Sequence, residues 1–156
     1  MNRISLTQNK EALVDDQDYA YLMQWKWYAM KVYKQFYAAR DVGKRHVYMH
    51  VAVAVRDGQG GNQIDHCDRN GLNNQRLNLR PATVAQNVAN QGLSRANKSG
   101  AKGVCWERFS QKWLAQVPRG SMCAKRRFED FDEAVAWRDA RARELHGEFA
   151  YLNGVV

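Results

Sequence analysis

The chain predicts an α+β protein built from three consecutive segments, and three observations carry that expectation. A strand–turn–strand–helix pattern occupies the middle of the chain. Three short strand patterns precede one long helical pattern near its end, and aromatic-rich alternating segments fill its beginning. At 156 residues there is room for one or two small domains. The segments fall at 1–45, a small β-rich module, at 46–92, a central module, and at 99–153, a terminal unit, with 93–98 as a linker.

In the first segment, Ile4-Ser5-Leu6-Thr7 reads as a strand. Val14 to Tyr19 reads as a turn leading into a short helix through Tyr21, Leu22 and Trp25, with Leu22 and Trp25 buried. Trp27 to Met30 and Phe36 to Arg40 then suggest a hairpin. The aromatic residues are spaced as strand and helix faces, which favours a core over a base-stacking platform.

In the second segment, Val47 to Val55 is apolar and reads as a strand running into a helix, and Gly58, Gly60 and Gly61 form a flexible connection. Gln63 to His66 is a short strand ending on Asp65-His66. Asp68-Arg69-Asn70-Gly71 has turn chemistry, because Asn-Gly favours the positive φ values of tight hairpin turns. Asn78-Leu79-Arg80 is the return, Pro81 stops it, and Thr83 is a suitable N-cap for a helix carrying Val84, Asn87 and Val88. A hairpin followed by a helix would bring Asn87 back over the strand holding Asp65 and His66, with Asn78 tying the hairpin loop to its own backbone.

These residue types suit phosphodiester hydrolysis. Asp65 and Asn87 offer hard oxygen ligands to Mg²⁺ or Mn²⁺, ions that need few protein ligands because water and phosphate oxygens complete the shell. His66 takes a proton near neutral pH and can activate water for attack on phosphorus. Arg76 or Arg80 could clamp a neighbouring phosphate. An isolated Asp-His pair is usually a surface turn; the combined spacing points to a site.

The third segment contains strand patterns at Lys102 to Arg108, Lys112 to Val117 and Lys125 to Phe128, punctuated by Gly103 and Gly120. Asp130 and Glu133 have capping-box spacing, Phe131, Ala134, Val135, Ala142, Leu145 and Phe149 recur at helical intervals, and Gly147 ends the helix. Three strands packed on one helix form a stable small unit. From Ser94 to Phe128 there are nine Lys or Arg and one acidic residue, Glu107, interleaved with Trp106, Phe109, Trp113 and Phe128. With a net charge of +8 and a pI near 9.6, the chain suits a polyanionic partner.

Cys67, Cys105 and Cys123 include no CxxC pair, so no structural zinc is expected and the thiols read as reduced. Cys67 has no paired base apart from His66, which argues against a thiol nucleophile. No apolar run reaches membrane-spanning length and no signal peptide opens the chain, so an intracellular protein that binds no membrane is expected.

The central stretch resembles the phage-type HNH endonucleases. The matching residues are Asp65-His66, Asn70-Gly71, Asn74, Asn78-Leu79-Arg80, Ala82-Thr83 and Gln86-Asn87. The resemblance implies a ββα-metal core, with His66 as general base, Asp65 and Asn87 as metal ligands and Asn78 as the structural middle residue. This branch has Asn as its third letter, here Asn87. Relatives carry His-Arg before the hairpin, where this chain has His50-Val51. The first segment, with its Ile4-Ser5-Leu6-Thr7, Val14-to-Tyr19 and Trp25-to-Trp27 pieces, also resembles what precedes the motif in phage HNH proteins.

The terminal unit resembles the AP2 DNA-binding domain through Ser99 to Val104, Trp106, Lys112 to Val117, Phe131 to Ala134 and His146 to Ala150. That implies a three-stranded antiparallel sheet laid in the major groove of double-stranded DNA. Lys102, Trp106, Arg108, Lys112, Trp113, Gln116 and Arg126 are the expected contacts. Trp113 and Val117 equally suit packing on the helix. The plant pattern has Arg after Gly-Val, where this chain has Cys105.

Together the resemblances imply a homing endonuclease of a phage in a bacterial host, acting as a monomer or homodimer. The alternative is a DNA-binding regulator carrying an inert HNH fold.

Overall fold

The computed structural model describes residues 1–58 and 63–154, so Gly60 and Gly61 of the expected connection lie outside the described residues. The chain forms two compact units, Met1–Thr83 and Val84–Val156. Among the described residues there are four α-helices and four small sheets. No helix there is long and apolar enough to cross a membrane.

The first unit begins with β1 (Asn2–Ser5) paired antiparallel to β2 (Glu11–Val14), followed by α1 (Asp16–Leu22). A meander of β3 (Tyr28–Val32), β4 (Gln35–Val42) and β5 (Arg45–Tyr48) leads directly into α2 (Met49–Arg56). Last comes the hairpin of β6 (Gln63–His66) and β7 (Leu79–Ala82). The strand β2 is not predicted by the sequence pattern between Thr7 and Val14. Its Ala12 and Val14 are fully buried, and four residues between polar flanks give too short a pattern to stand out.

One core runs through this unit. Ile4, Val14, Leu22, Trp27, Met49 and Val53 are its buried centre, and Leu72 and Leu79 of the hairpin pack against it. The core therefore crosses residue 45 without a break.

Hydrogen bonds from backbone N–H groups fasten the hairpin loop to the first strands. Leu13 N donates to Leu72 O at 2.8 Å, Asn74 N to Leu13 O at 2.8 Å, and Arg76 N to Asp15 Oδ2 at 2.8 Å. Below this seam lies Asp18, fully buried on α1, which accepts from Arg76 Nε at 2.7 Å and Nη2 at 2.8 Å and from Arg56 Nη1 at 3.2 Å. A buried carboxylate is tolerated only with such pairing.

Two local expectations are corrected. Pro81 does not stop the return segment; it lies inside β7 opposite Ile64, a position that a two-stranded ribbon tolerates. In the turn, the left-handed residue is Arg69, with φ of 63°, and neither Asn70 nor Gly71 takes a positive φ. Gly71 serves close approach instead: a Cβ there would stand 2.5 Å from Phe36 O and 2.6 Å from the Tyr37 ring.

The second unit opens with α3 (Val84–Asn90). The strands β8 (Val104–Glu107), β9 (Lys112–Arg119) and β10 (Met122–Phe128) form an antiparallel sheet in the order β10-β9-β8. α4 (Phe131–His146) covers it, and Val104, Ala115, Ala134 and Val135 make a core with Trp113, Phe128, Phe131 and Trp137. Asp130 caps α4 by accepting from Glu133 N at 2.8 Å, and Gly147, at φ of 54°, ends it, both as the sequence suggests.

Gly71→Ala should destabilise the first unit by about 1–3 kcal/mol through overpacking against backbone, read as a lower thermal midpoint. An unchanged midpoint would mean that the hairpin does not sit closely on β4.

Candidate active site

The hairpin fixes its residues in register. Asp65 pairs with Arg80 and His66 with Leu79 across β6 and β7. Both Asp65 and His66 are nearly buried, at 5% and 6% exposure. Arg80 Nε and Nη2 reach Asp65 Oδ2 at 3.0 and 2.9 Å, so this guanidinium neutralises the carboxylate in place. Arg76, also expected at a phosphate, is committed internally. Its guanidinium holds Asp18 and Asp57, as a buried carboxylate requires.

Asn78 closes the loop as expected. Its Oδ1 accepts from Asp68 N at 3.0 Å, and its Nδ2 donates to Asp68 Oδ1 at 2.9 Å and Asn73 O at 2.8 Å. Burial pushes the Asp68 carboxyl up, but hydrogen bonds from Asn70, Asn73 and Asn78 outweigh it and hold the group below its ordinary value.

His66 sits among side chains that lie far apart in the sequence. The fully buried Asn74 donates through Nδ2 to Leu72 O at 3.2 Å, which turns its Oδ1 toward His66 Nε2 at 3.5 Å. An amide oxygen there favours the Nε2–H tautomer and makes Nδ1 the basic nitrogen. The His50 ring stands edge-on to His66, centroids 4.9 Å apart, and is stacked on Tyr48 at 5.5 Å. Tyr37 lies 5.9 Å from both imidazoles.

Burial is the first cause that holds His66 below its ordinary value, against opposing pulls from Asn74, Asp68 and Asp65. His50 is pushed down to about 3, by burial first and by His66 second. His50 Nδ1 is buried without a protein hydrogen-bond partner. The Asn74 and His50 positions were visible only as letters in a family pattern; nothing in their spacing announces a shared pocket.

Among the described residues no group of three or more His, Cys, Asp or Glu is arranged to hold a metal. A hard-oxygen pair of one carboxylate and one amide, Asp65 and Asn87, suits Mg²⁺ or Mn²⁺ on donor chemistry. Asp65 belongs to the first unit, and Asn87 lies on α3 in the second.

In the second unit, strand alternation sorts the expected DNA contacts. Trp113, Ala115 and Val117 face α4, with Trp113 edge-on to Phe131 at 4.7 Å, so Trp113 packs rather than projects. Trp106, opposite Trp113, lies on that same side, its ring 5.2 Å away and still 43% exposed. Arg126 is opposite Ala115 and covers the Phe128 ring at 5.1 Å. Lys102 donates to main-chain carbonyls of the α3 end.

Lys112 and Gln116 do face away from α4. Their cross-strand neighbours there, Glu107, Lys125 and, beside Leu114, Arg127, were not among the expected contacts. Arg127 pairs with Glu107 at 2.6 Å, and Lys112 with Glu129 at 3.3 Å. Arg108 joins Trp106, Trp113, Gln116, Lys98 and Ser99 around a groove of about 530 Å³.

His50→Phe keeps the ring shape and removes the partnerless nitrogen. It should stabilise the protein by about 1–3 kcal/mol. The depressed His50 value also fixes the sign of the pH dependence: the unfolded chain binds the proton first, so native stability is full above 6.5 and drains as pH falls toward 3. The advantage of His50→Phe should therefore widen between about pH 7 and about pH 4, and thermal melts across that range would show a constant gap if His50 were instead solvated.

No family model matches the chain, and no solved structure matches it. Protein 3.8 of Escherichia phage T7 is 38% identical over 120 residues, covering 77% of this chain and 96% of that protein. The HNH endonuclease L560 of Acanthamoeba polyphaga mimivirus, itself uncharacterized, is 29% identical over 134 residues, covering 85% of this chain and 68% of that protein. The chain thus belongs to the family of phage T7 protein 3.8, with a viral HNH endonuclease as a more distant homologue.

Proposed function

We propose that this protein is a metal-dependent DNA endonuclease of HNH type that hydrolyses phosphodiester bonds of duplex DNA. The observation that carries the reading is the buried Asp65-His66 pair at the end of β6, with Asn74 orienting the imidazole. The distant viral HNH endonuclease supports it.

In this reading Asp65 and Asn87 hold one Mg²⁺ or Mn²⁺ ion. When bound, the ion supplies positive charge to the phosphate and to the leaving 3′ oxygen. His66 Nδ1 takes a proton from water, and the water oxygen attacks phosphorus in line as the 3′ oxygen departs. Asn74 holds the Nε2 proton in the tautomer this requires. Burial beside the Tyr37 and His50 rings disfavours the charged form of His66 and leaves the imidazole ready to accept a proton.

The C-terminal sheet is the AP2-like reader in this proposal. Lys112, Gln116, Lys125 and Arg127 on the face away from α4 meet the major groove, and the groove containing Trp106 and Arg108 adds contacts at its edge. A nuclease linked to a separate reader resembles a phage homing endonuclease acting in the host cytoplasm. One observation favours a second reading: Asp65 already carries a paired arginine, Arg80, which suits an inert HNH fold serving a DNA-binding protein.

Supercoiled plasmid separates the two. With Mg²⁺ or Mn²⁺ the wild type should nick or linearise it, EDTA should abolish this, and His66→Ala should lower the rate by about 10²–10⁴-fold. Because burial lowers the His66 value, the acid limb of the rate profile should lie below that of an ordinary histidine, with the rate level near neutrality and falling at more acidic pH. Binding without cleavage in either metal, on plasmids carrying phage sequence, would support the inert reading.

A further inference from the structure

We infer that Lys102 is the positioning residue for α3 and, resting on the nuclease reading above, for its metal ligand Asn87. α3 has seven residues, too few for a stable helix by itself. Its C-terminal carbonyls need partners. Lys102 supplies them: its ammonium donates to Val88 O at 3.1 Å, Ala89 O at 2.7 Å and Gln91 O at 2.6 Å. Three carbonyls occupy the three donors of one ammonium, and a cation at a helix C-terminus is electrostatically favoured.

The lysine is itself locked. Lys102 N donates to Asn153 Oδ1 at 2.7 Å, and Asn153 Nδ2 returns a bond to Lys102 O at 3.2 Å. Asn153 is pinned to α4 through Asp139, with its N at 2.6 Å from Oδ2 and its Nδ2 at 2.8 Å from Oδ1. Tyr151 N donates to Ala89 O at 3.3 Å, and the Tyr151 ring lies 5.5 Å from the Lys102 ammonium. Gly103 permits the arrangement, since a Cβ there would meet Gln116 O at 2.5 Å. The helix carrying the last letter of the HNH pattern is thus clamped by the DNA-reading unit through Lys102 and the C-terminal strap.

The test compares full-length wild type, Lys102→Met and Lys102→Arg in three measurements. These are amide hydrogen exchange over 84–91, Mn²⁺ binding followed by the electron paramagnetic resonance of the free ion, and duplex affinity in EDTA. In Lys102→Met, exchange over 84–91 should quicken and Mn²⁺ binding should weaken by about 10–100-fold. Duplex affinity should stay within about twofold, a change too small to count as a lost phosphate contact. Lys102→Arg should recover much of the Mn²⁺ binding.

A fall in duplex affinity of about tenfold or more with Mn²⁺ binding intact would make Lys102 a DNA contact and overturn the inference. So would unchanged exchange and unchanged Mn²⁺ binding in a folded Lys102→Met protein. A wild type that binds no Mn²⁺ sinks the nuclease reading and the positioning role together, whereas failure confined to the variants sinks the positioning role alone.

Discussion

Asn74 joins three parts of the first unit in one side chain and one peptide. Its backbone N–H donates to Leu13 on β2, its side-chain amide donates to Leu72 in the hairpin loop, and its amide oxygen faces His66. With no exposure to solvent, each polar group must be satisfied internally, since an unmet buried donor or acceptor costs about 1–3 kcal/mol. The orientation of the imidazole is therefore tied to the docking of the loop on the N-terminal strands. The first residues of the chain are the bed on which the β6–β7 hairpin lies.

Electrostatics follow from the same packing. Asp18 and its arginines anchor the loop from below, which withdraws Arg76 from solvent. Burial beside Tyr37 and His50 disfavours charge on His66, and burial of Asp65 is offset by Arg80. The pocket holds an imidazole whose protonation burial disfavours, beside a carboxylate whose charge is shared with one arginine. In the second unit the basic residues divide between internal clamps, such as Lys102, and the face of the sheet turned away from α4.

The parts legible in the sequence were those with local causes. Asp130 and Gly147 mark the ends of α4 through capping chemistry, Asn78 ties its own loop, and Asp65-His66 ends a strand, because each depends on a few neighbouring residues. What was missed has distant causes. Gly71 looked like a turn glycine, yet its constraint comes from Phe36 and Tyr37, far away along the chain. Lys102 reads as a DNA contact, and its carbonyl partners are something composition cannot display. The pairing of Arg76 with Asp18 is hidden in the same way, since the sequence does not display the burial of Asp18.

The state of the His66 ring is the most direct test of the proposed chemistry, through a long-range ¹H–¹⁵N correlation spectrum of the histidine side chains at neutral pH. Buried and held by Asn74, His66 should appear as a neutral imidazole in the Nε2–H tautomer, and Asn74→Ala should mix the tautomers. A protonated His66, or one with its proton on Nδ1, would contradict its assignment as the base.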